Sequence, residues 1–510
     1  MRASRTVLIG LALIALVAAP SVATATTTGF TIGSPVAASG ASPFGGCTIG
    51  AVEGADPQSH NYPNTELEPY VAVNQQTGHI VGAYQQDRWS DGGAHGLVAS
   101  RSSDGGATWA QSFAEFSVCS DNLATPYSPP FKRATDPFIS FDSGGKAYQI
   151  SLGIQSANLD LSAVEVATSS DEGATWNTPV RLQTDTSPVF FNDKESITAD
   201  WRPVDGVGTA YATWIRGNLP GGDNISPVGA AHSFAYGGLP MFSKTTDGGV
   251  TWSKPVSMTN AVVYMQGNQI VVLPDGTLVD VAAMLFKGSG IQPTPQQYFW
   301  TAMTSKNGGK TWGAPIKIAP LGTQLLTNPD IPNPTTLDET VRAGDYIPDV
   351  AVDHLTGAVY MVFADGISTG FNHVKLTKST DGGKNWSTPV DVTKTPTSTH
   401  SFNGTVEVTS DGTVAVMYYD FRDNTPDPGL PTDVWLTHSL DGGATWTEQH
   451  VYGDPAQNFD MENAPVARGW FLGDYQGLAA IGRDLILFFS VSTAVDDSAD
   501  IIAIRATAAP

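Results

Sequence analysis

The chain has 510 residues, of which 41% are hydrophobic and only 15% are charged, and its formal net charge is −23. This length suffices for a large core, and 53 glycines with 34 prolines are typical of many short strands joined by tight turns. The acidic balance repels phosphate backbones, so nucleic acid is excluded as an expected partner.

The N-terminus has the pattern of a targeting segment. Arg2 and Arg5 precede an apolar run over residues 7–17, and a small-x-small cleavage site follows. The pattern predicts a signal peptide over residues 1–25 and an exported mature domain over residues 26–510. The apolar run is too short to span a bilayer and no later run is long enough, so membrane insertion is not expected. We expect a secreted, extracellular monomer.

The two cysteines, Cys47 and Cys119, are candidates for a disulfide in an oxidising compartment. Such a bridge would tie the N-terminal arm to the first repeat, and the alternative is two unpaired thiols. No CxxC or HExxH motif occurs, so neither a zinc site nor a thiol nucleophile is expected.

An eight-residue box, Ser/Thr-x-Asp/Asn-x-Gly-x-Thr/Asn-Trp, is the main signal in the sequence. Its Asp or Asn can accept hydrogen bonds from turn N–H groups, its Gly permits positive φ, and its Trp supplies apolar surface at a strand start. Each box is therefore predicted to be a hairpin turn with its own anchor. The six boxes are Ser102–Trp109, Ser169–Trp176, Thr245–Trp252, Ser305–Trp312, Ser379–Trp386 and Ser439–Trp446.

Two further strand-like runs precede each box, separated by turn signals such as Pro274-Asp275-Gly276. Three strands, a box and a fourth strand make a four-stranded antiparallel blade, and blades repeated radially make an all-β, single β-propeller. The first-strand run appears a seventh time from Tyr475, without a box. Its fourth strand is expected from the N-terminal arm near residues 30–36, which would remove an exposed sheet edge. We favour seven blades, with six as the alternative.

With these boxes, the sequence resembles the sialidase superfamily of Asp-box (bacterial neuraminidase repeat) propellers. It is also similar to secreted bacterial exo-α-sialidase-like proteins in the segments Gln86–Trp89, Phe191–Asp200 and Phe471–Gly477. The resemblance implies a glycoside hydrolase that releases terminal sialic acid or a related acidic sugar from a glycan or glycoconjugate. The Arg-Ile-Pro motif of sialidases is absent. A non-catalytic propeller that binds glycan or protein therefore remains the alternative.

Strand alternation predicts where a site would lie. Residues just before each first strand and just after each second strand should share the face opposite the boxes. This rim carries many polar side chains, although single members would also serve as loop caps or ties between blades. The positions before first strands are Glu68, Asp136, Glu195, Asn268, Asp345 and Asp474, and Lys194, Arg342, Tyr346 and Tyr475 fall on the same rim.

The resemblance implies a tyrosine nucleophile with a glutamate base, an aspartate acid/base and an arginine clamp for the sugar carboxylate. Tyr475 is the predicted nucleophile, Glu195 its base, and Asp87 or Asp136 the acid/base. The predicted substrate-binding residues are Arg88, Arg342 and Arg422 as the clamp, Arg216 and Arg133 in reserve, Trp89 and Trp214 as stacking rings, and Asp345 and Asp474. No cofactor is expected; a structural calcium in the loop Asp420–Asp427 is the alternative.

Overall fold

The computed structural model describes residues 29–48, 59–121, 131–155, 161–187, 189–218, 237–259, 263–286, 298–328, 335–425, 427–453, 459–493 and 497–509. The predicted signal peptide lies outside these residues. The regular structure within them is β, apart from short 3-10 turns such as Val118–Ser120 and Met461–Asn463. In these ranges no helix has the length and apolar character needed to cross a membrane.

The strands follow one another in antiparallel sets, after two short strands of the N-terminal arm, β1 (Phe30–Ile32) and β2 (Val36–Ala37). The first set is β3 (Glu66–Val73), β4 (Ile80–Arg88), β5 (Ala94–Ser102) and β6 (Ala110–Phe113). The second is β7 (Arg133–Phe141), β8 (Ala147–Ile154), β9 (Ser162–Ser169) and β10 (Val180–Asp185). The third is β11 (Phe190–Ala199), β12 (Ala210–Asn218), β13 (Gly237–Thr245) and β14 (Val256–Ser257).

The same pattern continues in the second half of the chain. The fourth set is β15 (Val263–Val272), β16 (Leu278–Phe286), β17 (Tyr298–Ser305) and β18 (Ile316–Pro320), and the connection after it holds β19 (Leu326–Thr327) and β20 (Thr340–Arg342). The next set is β21 (Asp349–Val352), β22 (Val359–Asp365), β23 (His373–Ser379) and β24 (Val390–Asp391). Then follow β25 (Ser401–Val408), β26 (Val414–Asp420), β27 (Asp433–Ser439) and β28 (Thr447–Tyr452). The last strands are β29 (Trp470–Phe471), β30 (Gly477–Ile481), β31 (Asp484–Ser492) and β32 (Ala499–Ala508).

The N-terminal arm completes the last sheet. β1 pairs antiparallel with β32, with Phe30 opposite Ala508, and β2 pairs with the same strand. Gln449 holds the arm from the neighbouring set, since its side chain bonds to both the N–H and the C=O of Phe30. The prediction that the arm supplies the missing strand is therefore confirmed. A disulfide also joins Cys47 of the arm to Cys119, in the turn after β6.

The first strands of the sets are arranged around an axis. β3 contacts β7, β7 contacts β11, β11 contacts β15, β15 contacts β21, β21 contacts β25, β25 contacts β30, and β30 contacts β3. This cycle of innermost strands is the arrangement of a β-propeller. Apolar side chains fill the space between neighbouring sheets; Val81 and Ala99 of the first set, for example, cluster with Ile139 and Phe141 of the second.

The boxes connect the third and fourth strands, and their hydrogen bonds follow the expected pattern. In the first box, Asp104 Oδ1 accepts from the Thr108 N–H at 2.9 Å and from the Ser102 hydroxyl at 2.8 Å. Asp441 accepts from the Thr445 N–H in the same way in the sixth box, at 2.8 Å. Because these bonds are local, each box forms its turn largely without help from the rest of the fold.

The second box departs from the others at Glu172, which stands where the other five have glycine and has a φ of 57°. Its carboxylate accepts hydrogen bonds from Asn74 at 2.8 Å, from Thr77 at 2.7 Å and from His79. These three residues belong to the turn between β3 and β4. The left-handed conformation is costly for a residue with a Cβ. The hydrogen bonds that Glu172 accepts from the first sheet offset this cost and link the first two sheets.

β-bulges interrupt five of the first strands at equivalent positions. In each case the register shifts around one residue in the left-handed region. Only glycine adopts this conformation without strain, and strained residues at bulges often occur at functional sites. The five residues are Glu68 (φ 54°), Asp136 (φ 56°), Lys194 (φ 45°), Gly267 (φ 68°) and Asn403 (φ 48°).

A small sheet joins two long connections that are far apart in the sequence. β20 pairs with β19 on one side and runs parallel to β29 on the other, with Arg342 opposite Phe471. Gly469 has a φ of 119°, and a Cβ there would lie 2.8 Å from the Thr340 carbonyl oxygen. The close approach of the two backbones brings the segment around Arg468 next to Arg342.

Candidate functional site

Charged side chains from the bulged first strands and from the small sheet form one electrostatic cluster. Each member either has its pKa shifted by the charge of another member or shifts the pKa of another member. This network joins residues that are up to about 400 positions apart in the sequence. We call it the axial cluster, and its members are Glu68, Arg88, Asp136, Asp193, Lys194, Arg342, Asp345, Arg468 and Asp474.

Two of the three arginines in the axial cluster contact the same aromatic ring. Arg342 donates to Asp474 at 2.6 Å, and its guanidinium lies 4.0 Å from the centre of the Phe471 ring. The guanidinium carbon of Arg88 lies 5.2 Å from the centre of the same ring, and Arg88 is almost completely buried. Phe471 thus gives two arginines a shared apolar contact.

The three arginines differ in how well their charges are compensated. Burial and the positive charges of Arg342 and Arg88 lower the pKa of Arg468 to about 9, against the opposing charge of Asp474. Burial also lowers the pKa of Arg88. Burial disfavours the charged form of Arg342 too, but Asp474, Glu68 and Asp136 together outweigh burial and raise the pKa of Arg342. The carboxylates around Arg88 and Arg468 therefore offset the cost of burying these two positive charges only in part. Three arginines in this environment can favour an anion, and a carboxylate suits a guanidinium fork.

Several carboxyl groups of the axial cluster hold their protons more tightly than usual. Burial and the charge of Asp136 raise the pKa of Asp193 to about 6. Burial and the charge of Asp474 raise the pKa of Asp345 to about 7. Burial and the charges of Asp136 and Asp474 raise the pKa of Glu68, which accepts a hydrogen bond from Gln85, well above the usual range. Carboxyl groups of this kind can exchange a proton with a substrate near neutral pH.

The structure brings together five of the residues predicted from the sequence for the site. Arg88 ends β4, Asp136 lies in the bulge of β7, and Arg342 ends β20. Asp345 and Asp474 follow on the two connections that the small sheet joins. Their common location results from the bulges and from the pairing of β20 with β29.

Tyr475 and Glu195 are buried beside the axial cluster. The Tyr475 hydroxyl donates to the Pro137 carbonyl at 3.2 Å, and the Lys194 ammonium lies 3.9 Å from the centre of the Tyr475 ring. Both carboxylate oxygens of Glu195 are sealed from solvent without a hydrogen bond from another described residue. Burial, followed by the charges of Glu68 and others, raises the pKa of Tyr475 well above its usual range. The nucleophile-and-base assignment stays a prediction.

The remaining predicted arginines lie in ion pairs outside the axial cluster. Arg422 donates to Asp420 at 2.6 Å and to Glu448 at 2.7 Å. Arg216 makes a two-pronged contact with Asp185. Neither arginine is among the charges that shift the pKa values of Arg88, Arg342 or Arg468, so the structure does not group them with these three.

The other predicted residues also have local partners. The Asp87 carboxylate accepts from Ser42 at 2.7 Å, from the Asn64 N–H at 2.7 Å and from His95 at 3.1 Å. Although burial opposes it, these bonds lower the pKa of Asp87, which works against a role as proton donor. Arg133 covers the ring of Trp89, with its guanidinium carbon 4.4 Å from the ring centre. The Arg133 guanidinium also pairs with Asp91. Trp214 is completely buried.

The loop Asp420–Asp427 is the calcium site that the sequence predicts as an alternative. The Asp420 oxygens accept hydrogen bonds from Arg422, Thr395 and Trp435. Within the described ranges, which omit Pro426 of that loop, no group of three or more His, Cys, Asp or Glu side chains is arranged to hold a metal ion.

Sequence reasoning missed Arg468 and Asp193 as site residues. Arg468 lies in a long connection and not at the end of a strand, and its one signal is the following Gly469, which allows the sharp turn into β29. Asp193 stands two positions before Glu195, the residue of this segment that the strand pattern predicts for the site. The bulge at Lys194 decides which of the two carboxylates reaches the accessible face, and alternation alone does not locate a bulge.

Comparison with protein-family models finds no match for this chain, and a search of curated proteins finds none. Solved structures with a similar fold include a Hadza microbial sialidase, Hz136, at 15% identity and a TM-score of 0.45, covering 84% of this chain and 73% of that one. The NanB sialidase from Streptococcus pneumoniae has 12% identity and a TM-score of 0.42, covering 87% and 68%. The GH93 α-L-arabinofuranosidase of Fusarium graminearum has 14% identity and a TM-score of 0.43, covering 72% and 91%. At these values the similarities carry no argument about this chain's function.

Proposed function

We propose that the chain is a secreted, monomeric glycoside hydrolase on a seven-bladed Asp-box propeller, and that it acts on glycans ending in sialic acid or a related acidic sugar. The observation that carries the proposal is the meeting of Arg88, Arg342 and Arg468 beside carboxyl groups with raised pKa values. The closed cycle of first strands supports the count of seven blades.

The arginines would act as the binding element for the sugar carboxylate. Arg342 is held in place by Asp474 and Phe471, so its guanidinium is preorganised. Arg468 and Arg88 repel Arg342 and each other in the free protein. An anionic ligand would relieve this repulsion, so part of its binding free energy would come from positive charges that the neighbouring carboxylates offset only in part.

The carboxyl groups would carry the hydrolytic chemistry. Cleavage of a glycosidic bond needs a proton donor for the leaving oxygen and a second group that stabilises or attacks the anomeric carbon. Asp193 and Asp345 are partly exposed and have raised pKa values, as a donor requires, and Asp136 is a partly exposed carboxyl beside them. Tyr475 would be the nucleophile that attacks the anomeric carbon.

A non-catalytic propeller that binds acidic glycan is the second candidate. The absence of the Arg-Ile-Pro motif favours it, and the same arginines would serve as its binding element. Both candidate functions predict that the protein binds an acidic glycan, but only the hydrolase predicts that it cleaves one.

Turnover of a fluorogenic sialoside by the purified protein is the experiment that tests the proposal. We expect hydrolysis by the wild type and a loss of about 100-fold or more in kcat/KM for Arg342→Ala and for Arg468→Ala. Arg483→Ala is the matched control, because Arg483 pairs with Asp411 at an exposed turn on the box face and should leave the activity unchanged. Binding of sialic acid without turnover would establish the non-catalytic candidate, and neither binding nor turnover would refute both.

Tyr475→Phe tests the nucleophile. We expect it to abolish turnover and to retain sialic acid binding, since only the hydroxyl is removed. Because the hydroxyl donates to the Pro137 carbonyl, a thermal unfolding curve must accompany the assay. Equal turnover by Tyr475→Phe and the wild type would exclude Tyr475 as the nucleophile and leave the arginine site intact.

A further inference from the structure

Asp193 and Gln266 occupy equivalent positions on neighbouring first strands. Asp193 is the last residue of β11 before its bulge, and Gln266 is the last residue of β15 before its own. The two strands are adjacent around the axis. The Gln266 side-chain amide donates to Asp193 Oδ2 at 3.0 Å, so one oxygen of this carboxyl group is held from the next sheet.

Tyr264 fixes the orientation of the Gln266 amide. It lies two residues before Gln266 on the same face of β15, and its hydroxyl donates to Gln266 Oε1 at 3.0 Å. Burial raises the pKa of Tyr264 well above its usual range, so the hydroxyl stays protonated and remains a donor. With Oε1 directed to Tyr264, the NH2 group of Gln266 is directed to Asp193.

Gly238 provides the space for the Tyr264 ring. Gly238 lies opposite Tyr264 where β13 meets β15, and a Cβ at this position would come within 2.4 Å of the ring. A larger residue there would displace the tyrosine. Three neighbouring strands, β11, β13 and β15, therefore determine the position of one carboxyl group.

The second oxygen of Asp193 is left available. Asp193 is partly exposed, and its Oδ1 accepts no hydrogen bond from another described residue. Its charged neighbours are Asp136 from β7, Lys194 on its own strand, and Asp474 and Arg468 from the connection before β30. The available oxygen thus belongs to the same cluster as the arginines.

We propose that Asp193 is the general acid of the hydrolysis, with Oδ1 as its proton-bearing oxygen, and that Gln266 and Tyr264 are positioning residues that keep Oδ2 as the acceptor. This inference rests on the proposed function and goes beyond it by naming the donor and the residues that orient it. A carboxylic acid that accepts through one oxygen presents its proton on the other.

The proposed reaction is a hydrolysis that consumes one water for each glycosidic bond cleaved. The bond between the anomeric carbon and the leaving oxygen breaks, and its electron pair stays on that oxygen, which takes the proton from Asp193 Oδ1. One water then supplies the hydroxyl group that ends on the anomeric carbon. The remaining proton of that water restores the carboxylic acid of Asp193.

Leaving-group dependence tests the donor. For Asp193→Asn we expect a loss of about 10²–10⁴-fold in kcat on an alkyl sialoside, whose alkoxide must be protonated as it leaves. The loss on an umbelliferyl sialoside should be about tenfold or less, since that phenolate leaves without full protonation. Equal losses on the two substrates, or no loss on either, would overturn the assignment while leaving the proposed function standing.

The pH profile tests the positioning residues. The Gln266 hydrogen bond favours the ionised carboxylate, so Gln266→Met should raise the pKa of Asp193 from about 6 and move the alkaline limb of kcat to higher pH. Tyr264→Phe and Gly238→Ala should lower kcat about tenfold through loss of orientation. Gln269→Met is the matched control, because Gln269 lies on the same strand but donates to the Pro348 carbonyl. If the alkaline limb of kcat does not move in Gln266→Met, the positioning role of Gln266 is refuted.

A measurement without turnover separates this inference from the proposed function. Potentiometric titration of the folded protein should show that the wild type takes up one more proton than Asp193→Asn, with a midpoint near pH 6. In Gln266→Met the midpoint of that difference should rise, and in Gln269→Met it should not. Identical titration curves for the wild type and Asp193→Asn would refute the assignment even if the protein hydrolyses a sialoside.

Discussion

Replacing Arg468 by methionine should make the free protein more stable and less able to bind its ligand. Methionine keeps an unbranched apolar stem of similar length but removes the charge that Arg342 and Arg88 oppose. The same change at Arg342 should act in the opposite direction on stability, because it would leave Asp474 without the partner it holds at 2.6 Å. Both variants should lose affinity for an acidic sugar.

The magnitude follows from the pKa of Arg468. Burial and the neighbouring positive charges lower this pKa to about 9, and each pKa unit is worth about 1.36 kcal/mol. The folded state therefore bears a penalty of several kcal/mol for keeping the guanidinium charged at pH 7. Solvent at the mouth of the site screens part of this penalty, so we expect Arg468→Met to raise the free energy of unfolding by about 2 kcal/mol. The penalty is fully present below about pH 9, where Arg468 is charged in both the folded and the unfolded states.

Urea unfolding at pH 7 without ligand gives the stability, and calorimetric titration with sialic acid gives the affinity. Arg483→Met is the control, because the exposed pair of Arg483 with Asp411 is worth about 0–1 kcal/mol. The gain in Arg468→Met should also shrink in 1 M salt, which screens the repulsion. A denaturation midpoint for Arg468→Met at or below that of the wild type would refute the electrostatic reasoning.

The remaining predictions concern the scaffold. Trp176→Ala should lower the free energy of unfolding by about 3 kcal/mol and leave ligand affinity unchanged, because the indole packs between two sheets and donates to Ser112; equal midpoints in urea would contradict this. Glu172→Gln should destabilise by about 1 kcal/mol at pH 7. Burial opposes ionisation of Glu172, but its hydrogen bonds lower its pKa, so the difference from the wild type should vanish as the pH falls through that pKa in acid unfolding experiments. Alkylation without reductant should leave the mass of the purified protein unchanged. The double variant Cys47→Ser/Cys119→Ser should lose about 4 kcal/mol of unfolding free energy, as expected for a bridge between residues 72 positions apart.

Much of the scaffold could be predicted from the sequence because its signals are local. The Asp or Asn of each box accepts a hydrogen bond from the backbone within five residues, as Asp104 does from Thr108 and Asn307 from Thr311, so the motif implies the turn wherever it occurs. The order of strands around each box follows from the same repeat. The closing strand of the N-terminal arm was also predictable, because the last set of strands lacks a box and a fourth strand, and β1 fills that place beside β32.

The composition of the site was predictable only in part. Arg88 and Asp136 stand at the ends of predicted strands, where the rim must lie, and Arg342 lies in a connection on the same rim. Arg422 satisfies the same criterion, but Asp420 and Glu448 compensate its charge within its own sheet. Position in a strand pattern does not reveal whether a charge is already paired.

What only the tertiary structure decided is which charges converge. Arg468 reaches the cluster because β29 pairs with β20, a contact between segments more than 120 residues apart that no local pattern specifies. Asp193 faces the site because a bulge at Lys194 shifts the register of β11, and one inserted residue exchanges the two faces of a strand. Local hydrogen bonds and periodicity therefore determined the turns and strands of this protein. The long-range pairing of connections and the bulges determined its electrostatics, because charge interactions depend on distances in space and not on separation along the chain.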